Sequence, residues 1–143
     1  MASLRRGSRS VRVGNRHVDR NVRVSSSDLN GPRIVSSMKV IAIYATETMS
    51  DWEYAYLTTQ VAEAEAQVPD RFKVLFVGES LQAVRSKGGL EVVPSLTLED
   101  IQNRTDIAAF VVPGADTYFD GHEHLLETIK DLHQKGVLLA AIC

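Results

Sequence analysis

The stretch KVIAIYA, residues 39–45, is a nearly continuous apolar run rich in β-branched side chains. A short run of this kind is typical of a strand that is covered on both faces. The polar residues 46–51 interrupt it, and Ser50 or Asp51 can cap a following helix. Residues 52–67 are rich in Ala and Glu and do not alternate, so they predict that helix.

Three further apolar runs repeat this pattern, and they predict buried strands at residues 72–78, 107–114 and 137–143. Residues 122–136 predict a helix between the last two. Strands that alternate with helices and are apolar throughout indicate a parallel sheet with helices on both faces. We therefore expect an α/β fold with a doubly wound, mostly parallel sheet.

The segments between the predicted strands, and the helix at residues 122–136, have further features that the sequence predicts. Residues 82–93 predict a hairpin around a Lys-Gly-Gly turn, and residues 97–106 a short helix or turn. Gly136 is the predicted C-cap of the helix at residues 122–136. The buried face of that helix is predicted to consist of four apolar side chains, those of Leu125, Leu126, Ile129 and Leu132.

Charge divides the chain at residue 37. Residues 1–37 hold eight Arg against two Asp, a net charge of +6, whereas residues 38–143 carry −8. We expect a disordered basic leader followed by one α/β domain at 38–143. The leader is open to three interpretations: upstream sequence before a start at Met38, a transit peptide, or a basic arm for nucleic acid.

Composition restricts the setting of the protein. A hydrophobic content of 44% with 24% charged residues is typical of a globular domain, and no apolar run approaches the ~20 residues of a membrane span. The single cysteine excludes a disulfide within one chain and favours a reducing compartment. We expect the cytoplasm, or an organelle if the leader is a transit peptide, with neither a membrane nor a nucleic acid as partner.

Ligands of such sheets bind beyond the carboxyl ends of the strands, and Cys143 lies at the carboxyl end of the predicted strand at 137–143. A lone cysteine in an apolar strand often packs as a small buried side chain. At the tip of a strand that turns sharply into a helix, however, the thiol would be presented as a nucleophile. The N-terminus of that helix would lower the pKa of the thiol.

Two more positions at strand ends are candidates. Gly114, in the Pro-Gly pair that ends the predicted strand at 107–114, is either an ordinary turn residue or the source of an N–H for an oxyanion. Glu53 is either a solvated residue of the first helical turn or a protonated carboxyl directed at the thiolate. Glu47 and Asp51, in the same segment, are alternative candidates for the carboxyl directed at the thiolate.

Metal binding is not expected. His122 and His124 are two residues apart and do not share a helix face, and His133 is expected at the surface. No phosphate-binding loop or zinc spacing is present in the sequence. We expect neither a metal nor a cofactor.

Taken together, MKVIAIYA, DWEYAYL, FKVLFVG, VVPGAD and GVLLAAIC resemble the core motifs of the PfpI-like family, within the class I glutamine amidotransferase-like superfamily. The resemblance covers residues 38–143. It implies a flavodoxin-like fold, usually in a homodimer, with Cys143 as elbow nucleophile, Glu53 as the acid after the first strand and Gly114 as the oxyanion glycine. The implied activities are glyoxalase or deglycase chemistry, peptidase activity, glutamine amide hydrolysis and chaperone-like holding.

The sequence departs from the family pattern in two respects. Ala115 replaces the usual second glycine, and a histidine that follows the cysteine in the family would lie beyond position 143. We therefore expect a domain incomplete at its C-terminus, truncated at the elbow and inactive in isolation. The complete protein is expected to be a cysteine-dependent hydrolase, deglycase or amidotransferase-like enzyme that acts on a small carbonyl or amide substrate. The alternative is a non-enzymatic sensor, chaperone-like or regulatory binding domain on the same fold.

Overall fold

A computed structural model describes residues 38–142 as a five-stranded sheet flanked by three helices, with a separate two-stranded hairpin. All paired strands of the large sheet are parallel, in the order β5-β2-β1-β6-β7, and β3 and β4 pair antiparallel. The elements are β1 Lys39–Tyr44, α1 Asp51–Gln67, β2 Phe72–Gly78, β3 Val84–Arg85, β4 Glu91–Val92, β5 Leu96–Thr97, α2 Leu98–Gln102, β6 Ile107–Val112, α3 Glu123–Gln134 and β7 Leu138–Ala141.

The central strand β1 supplies both halves of the core because its side chains alternate between the two faces of the sheet. Val40, Ala42 and Tyr44 pack with buried residues of α2, α3 and β6 on one face. Ile43 packs on the other face with side chains of α1 and of the hairpin. The prediction of a doubly wound, mostly parallel sheet with helices on both faces is confirmed.

Several predicted boundaries change. The run 107–114 leaves the sheet after Val112, because Pro113 has no N–H to donate to a neighbouring strand. A fifth strand, β5, was not predicted, and it pairs with the end of β2. The hairpin at residues 82–93 and the short helix α2 within 97–106 are present. The predicted leader at 1–37 lies outside the described residues.

The predicted buried face of α3 is wrong at Leu126, which is 55% exposed. The centre of the buried stripe is instead Thr128, which is fully buried between Leu125 and Leu132. Gln102 donates a hydrogen bond of 2.7 Å to the Thr128 hydroxyl, so this polar side chain is satisfied inside the core. Leu126 lies about 100° around the helix from Leu125 and is turned away from that stripe.

Within residues 38–142, no helix has both the length and the apolar composition that crossing a membrane requires.

Candidate functional site

The segments that follow β1 and β6 meet at the carboxyl edge of the sheet. Ser50 is buried at the N-cap of α1, and its N–H donates to the carbonyl oxygen of Gly114 at 2.9 Å. Asp116 N–H likewise donates to Thr48 Oγ1 at 2.9 Å. Because β1 and β6 are adjacent parallel strands, their carboxyl ends bring these two segments together.

Glu53 lies in the first turn of α1 and reaches across to the segment after β6. Its Oε2 accepts a hydrogen bond from the N–H of Gly114. The absence of a side chain at Gly114 permits this approach, since an added Cβ would lie 3.0 and 3.1 Å from the two carboxylate oxygens. The structure therefore brings two of the three predicted site residues into direct contact.

The rival carboxylates have different partners. Asp51 Oδ2 accepts the N–H of Gly88 at 2.6 Å, and hydrogen bonds, first that from Ser86, hold the pKa of Asp51 below its ordinary value. Glu47 is exposed and its Oε2 accepts the N–H of Arg85 at 3.2 Å. Both acids therefore bind the hairpin and its turn, and of the three only Glu53 contacts Gly114.

The contact with Glu53 bears on the role predicted for Gly114. Its N–H is already engaged by a carboxylate, so an oxyanion would have to displace Glu53 to use it. The next N–H, that of Ala115, has no hydrogen-bond acceptor among residues 38–142. The role of Gly114 as oxyanion donor thus stays a prediction, and the geometry assigns its N–H to Glu53.

Cys143, the third predicted site residue, lies outside the described residues. The residue before it, Ile142, is held to the sheet because its N–H donates to Val112 O at 3.1 Å. The carbonyl oxygen of Ile142 lies 3.3 Å from the position a Cβ would take at Gly114. The peptide carbonyl bonded to the nitrogen of Cys143 is therefore close to the contact between Glu53 and Gly114.

Tyr118 is a site residue that the sequence analysis missed. Its hydroxyl donates to the carbonyl oxygen of Pro113 at 2.8 Å. Burial, and secondarily the negative charge of Glu53, raise the pKa of Tyr118 to about 12. An aromatic residue in a polar loop has no periodic pattern, and the proximity of Tyr118 to Glu53 arises only when the sheet is assembled.

The two histidines predicted not to share a metal have separate partners. His122 Nε2 lies 2.8 Å from Thr117 O, and since a carbonyl only accepts, this nitrogen donates. His124 Nδ1 lies 2.9 Å from Glu79 Oε2, and Tyr44 donates to the other oxygen of Glu79 at 3.3 Å. In the described part of the chain, no three His, Cys, Asp or Glu side chains form a group that could hold a metal ion.

The fold and the site define a flavodoxin-like α/β domain with an acid from the first helix at the carboxyl edge of the sheet. Residues 38–143 match the DJ-1/PfpI family. The match covers well over half of the chain, so the chain belongs to this family. The predicted resemblance is confirmed.

Three known proteins illustrate the similarity. Uncharacterized protease YoaZ of Bacillus subtilis (strain 168) is 31% identical over 107 residues, covering 72% of this chain and 50% of that protein. A thiJ/pfpI family protein from Bacillus anthracis is 30% identical with a TM-score of 0.59, covering 74% of this chain and 52% of the other. An AraC family transcriptional regulator from Pseudomonas putida is 17% identical with a TM-score of 0.63, covering 72% and 63%, and this likeness concerns the fold alone.

The chain therefore spans about half the length of the family members it matches.

Proposed function

We propose that this chain belongs to a cysteine-dependent enzyme of the DJ-1/PfpI family, a hydrolase, deglycase or glutamine amidotransferase-like protein whose nucleophile is Cys143. The observation that carries the proposal is the contact of Glu53 with Gly114 beside Ile142. An acid oriented by a backbone N–H at the carboxyl end of a parallel sheet is suited to tune a neighbouring nucleophile.

In the proposed reaction the Cys143 thiolate attacks the carbonyl carbon of a small aldehyde, ketone or amide. A carbon–sulfur bond forms, and the π electrons of the carbonyl move onto its oxygen. With an amide, the C=O bond re-forms as the C–N bond breaks, and the amine leaves with a proton taken from solvent water. Water then attacks the thioester carbon, the carbon–sulfur bond breaks, and the carboxylic acid and the Cys143 thiol are released. The N–H of Ala115, which has no acceptor among residues 38–142, is available for the oxyanion.

Glu53 is proposed to stabilise the thiolate. Its Oε2 is fixed by the N–H of Gly114, whereas Oε1 has no hydrogen-bond partner among the described residues. A carboxyl group can accept through one oxygen and, when protonated, donate through the other. On receiving the proton of the Cys143 thiol, Glu53 would donate from Oε1 to the thiolate sulfur while Oε2 stays bound to the N–H of Gly114.

A homodimer is proposed for the complete protein, as the family resemblance implies. Trp52 is 62% exposed and Tyr56 81% exposed, and they lie one turn apart on α1. Two large aromatic side chains on one helix face supply apolar surface that a second copy would cover.

Thiol reactivity tests the proposal directly, because Cys143 is the only cysteine of the chain. The rate of alkylation by iodoacetamide against pH gives the pKa of the thiol, which we expect below the ordinary ~8.5. A hydrogen bond to a charged group contributes about 1.5–3 kcal/mol, which corresponds to about one to two pKa units. Glu53→Ala should therefore raise the pKa of Cys143 by about one unit or more.

Glu47→Ala is the matched control, since Glu47 is an acid of the same segment that binds Arg85 instead. It should leave the pKa of the thiol unchanged. An equal effect of the two variants, or an unshifted thiol in the parent chain, would remove Glu53 from the proposed mechanism. In the complete protein, turnover of small carbonyl or amide compounds that survives Cys143→Ser would remove the cysteine from the mechanism. An activated thiol in a complete protein that turns over none of these compounds would favour the sensor or binding alternative.

A further inference from the structure

The peptide group between Pro113 and Gly114 is held at both of its polar ends. Its C=O accepts a hydrogen bond of 2.8 Å from the hydroxyl of Tyr118, and its N–H donates to Glu53 Oε2. A peptide group is planar, so its C=O and N–H turn together. Whatever fixes the direction of the carbonyl therefore also fixes the direction in which the N–H points.

Among residues 38–142, no strand pairing holds this peptide group. β6 ends at Val112, and Pro113 has no N–H that could pair with a neighbouring strand. Gly114 has no Cβ and is therefore tolerant of different backbone angles. The hydrogen bond from Ser50 is made to the carbonyl of Gly114, which belongs to the next peptide group.

We propose that Tyr118 is a positioning residue that orients the Pro113–Gly114 peptide group so that the N–H of Gly114 meets Glu53. The phenol itself is suited to a lasting structural contact. Tyr118 is half-buried in the core beside α3, and its ring packs edge-on against His122 with 4.9 Å between ring centroids. Its pKa of about 12 keeps the hydroxyl protonated, and so a donor, throughout the neutral pH range.

The importance of this positioning for catalysis rests on the proposed function, in which Glu53 must be oriented to donate a hydrogen bond to Cys143. The geometry of the positioning does not need the cysteine or a substrate. It can therefore be measured on the full chain carrying Cys143→Ser, and the outcome is separate from that of the thiol measurements.

The test is Tyr118→Phe in the ¹⁵N-labelled chain, observed by nuclear magnetic resonance. In the parent chain the amide of Gly114 should be protected from hydrogen exchange, and its proton chemical shift should lie downfield because this N–H donates to Glu53 Oε2. Phe keeps the ring and removes only the hydroxyl. We expect exchange of the Gly114 amide to become faster, on the order of tenfold, and its proton chemical shift to move upfield as the hydrogen bond to Glu53 weakens.

Two further variants keep the result interpretable. Tyr54→Phe removes another largely buried phenol, one that donates to Asp51 at 3.3 Å, and it should leave the Gly114 amide unchanged. Glu53→Gln should change the chemical shift of the Gly114 amide proton but preserve much of its protection, since the amide oxygen of Gln also accepts. A parent-like exchange rate and proton chemical shift of the Gly114 amide in the Tyr118→Phe chain would overturn the inference, as would equal effects of the Tyr118 and Tyr54 variants.

Discussion

Gly114→Ala probes the central contact of the site. An added Cβ would lie 3.0 and 3.1 Å from the oxygens of Glu53 and 3.3 Å from the carbonyl oxygen of Ile142. These separations are tighter than ordinary van der Waals contact, so the carboxylate must retreat by a few tenths of an ångström. The end of a Glu side chain can yield, but its hydrogen bond with the N–H of residue 114 is then weakened or lost.

The magnitude follows from two opposing effects. A hydrogen bond to a charged group contributes about 1.5–3 kcal/mol, and the low end applies because Glu53 is only half-buried. Replacing Gly by Ala also lowers the conformational entropy of the unfolded chain, which raises the free energy of unfolding by about 0.4–1 kcal/mol. We therefore expect Gly114→Ala to lower the free energy of unfolding by about 1 kcal/mol, or about 4–8 °C in Tm for a domain of this size.

A double-mutant cycle isolates the cause. Urea unfolding followed by circular dichroism would compare the parent chain, Gly114→Ala, Glu53→Ala and the double variant. Without the carboxylate the methyl group has little to displace, so Gly114→Ala should be neutral or slightly stabilising in the Glu53→Ala background. An equal cost of the Gly114 substitution in both backgrounds would refute the reasoning, because the added methyl would then be opposed by something other than Glu53.

Two further predictions concern the N-terminal cap of α2 and the carboxylate of Asp51. Thr97 caps α2 through two reciprocal hydrogen bonds: Asp100 N–H donates to Thr97 Oγ1 at 3.1 Å, and Thr97 N–H donates to Asp100 Oδ2 at 2.8 Å. Thr97→Ala should therefore lower the free energy of unfolding by about 1 kcal/mol, measured by urea unfolding. An unchanged unfolding midpoint would contradict a capping role. Hydrogen bonds, first from Ser86 and also from Gly88, hold the pKa of Asp51 below its ordinary value. The Asp51 carboxylate therefore stabilises the folded state above its unfolded pKa of about 4, and this stabilisation is lost as pH falls toward the lower folded pKa. The stability difference between the parent and Asp51→Asn chains should therefore shrink in unfolding measurements between pH 5 and about 3, and a difference that is constant with pH would exclude that linkage.

Long hydrophobic runs predicted their secondary-structure elements more accurately than short ones did. The predicted strand at 72–78 has the observed bounds of β2, because residues 72–77 are apolar except for Lys73 and lie between Pro69-Asp70 and Gly78, which is a strong local signal. β5 contains only Leu96 and Thr97, too few residues for any period to show. At α3 the periodicity located the helix but placed Leu126 in the core, since it describes a broad apolar stripe and not the line along which the neighbouring α2 packs.

The sequence by itself determined the α/β class and the positions that follow each strand, because hydrophobic periodicity and turn residues act over a few neighbours. It also indicated the family, through the resemblance of its motifs to those of PfpI-like proteins. Only the tertiary structure decided which of the acids after β1 meets Gly114, and that Tyr118 holds the same peptide group from the other side. Glu53 and Gly114 are 61 positions apart in the chain. Their contact exists because β1 and β6 pair in the sheet, and that pairing results from the packing of the whole domain.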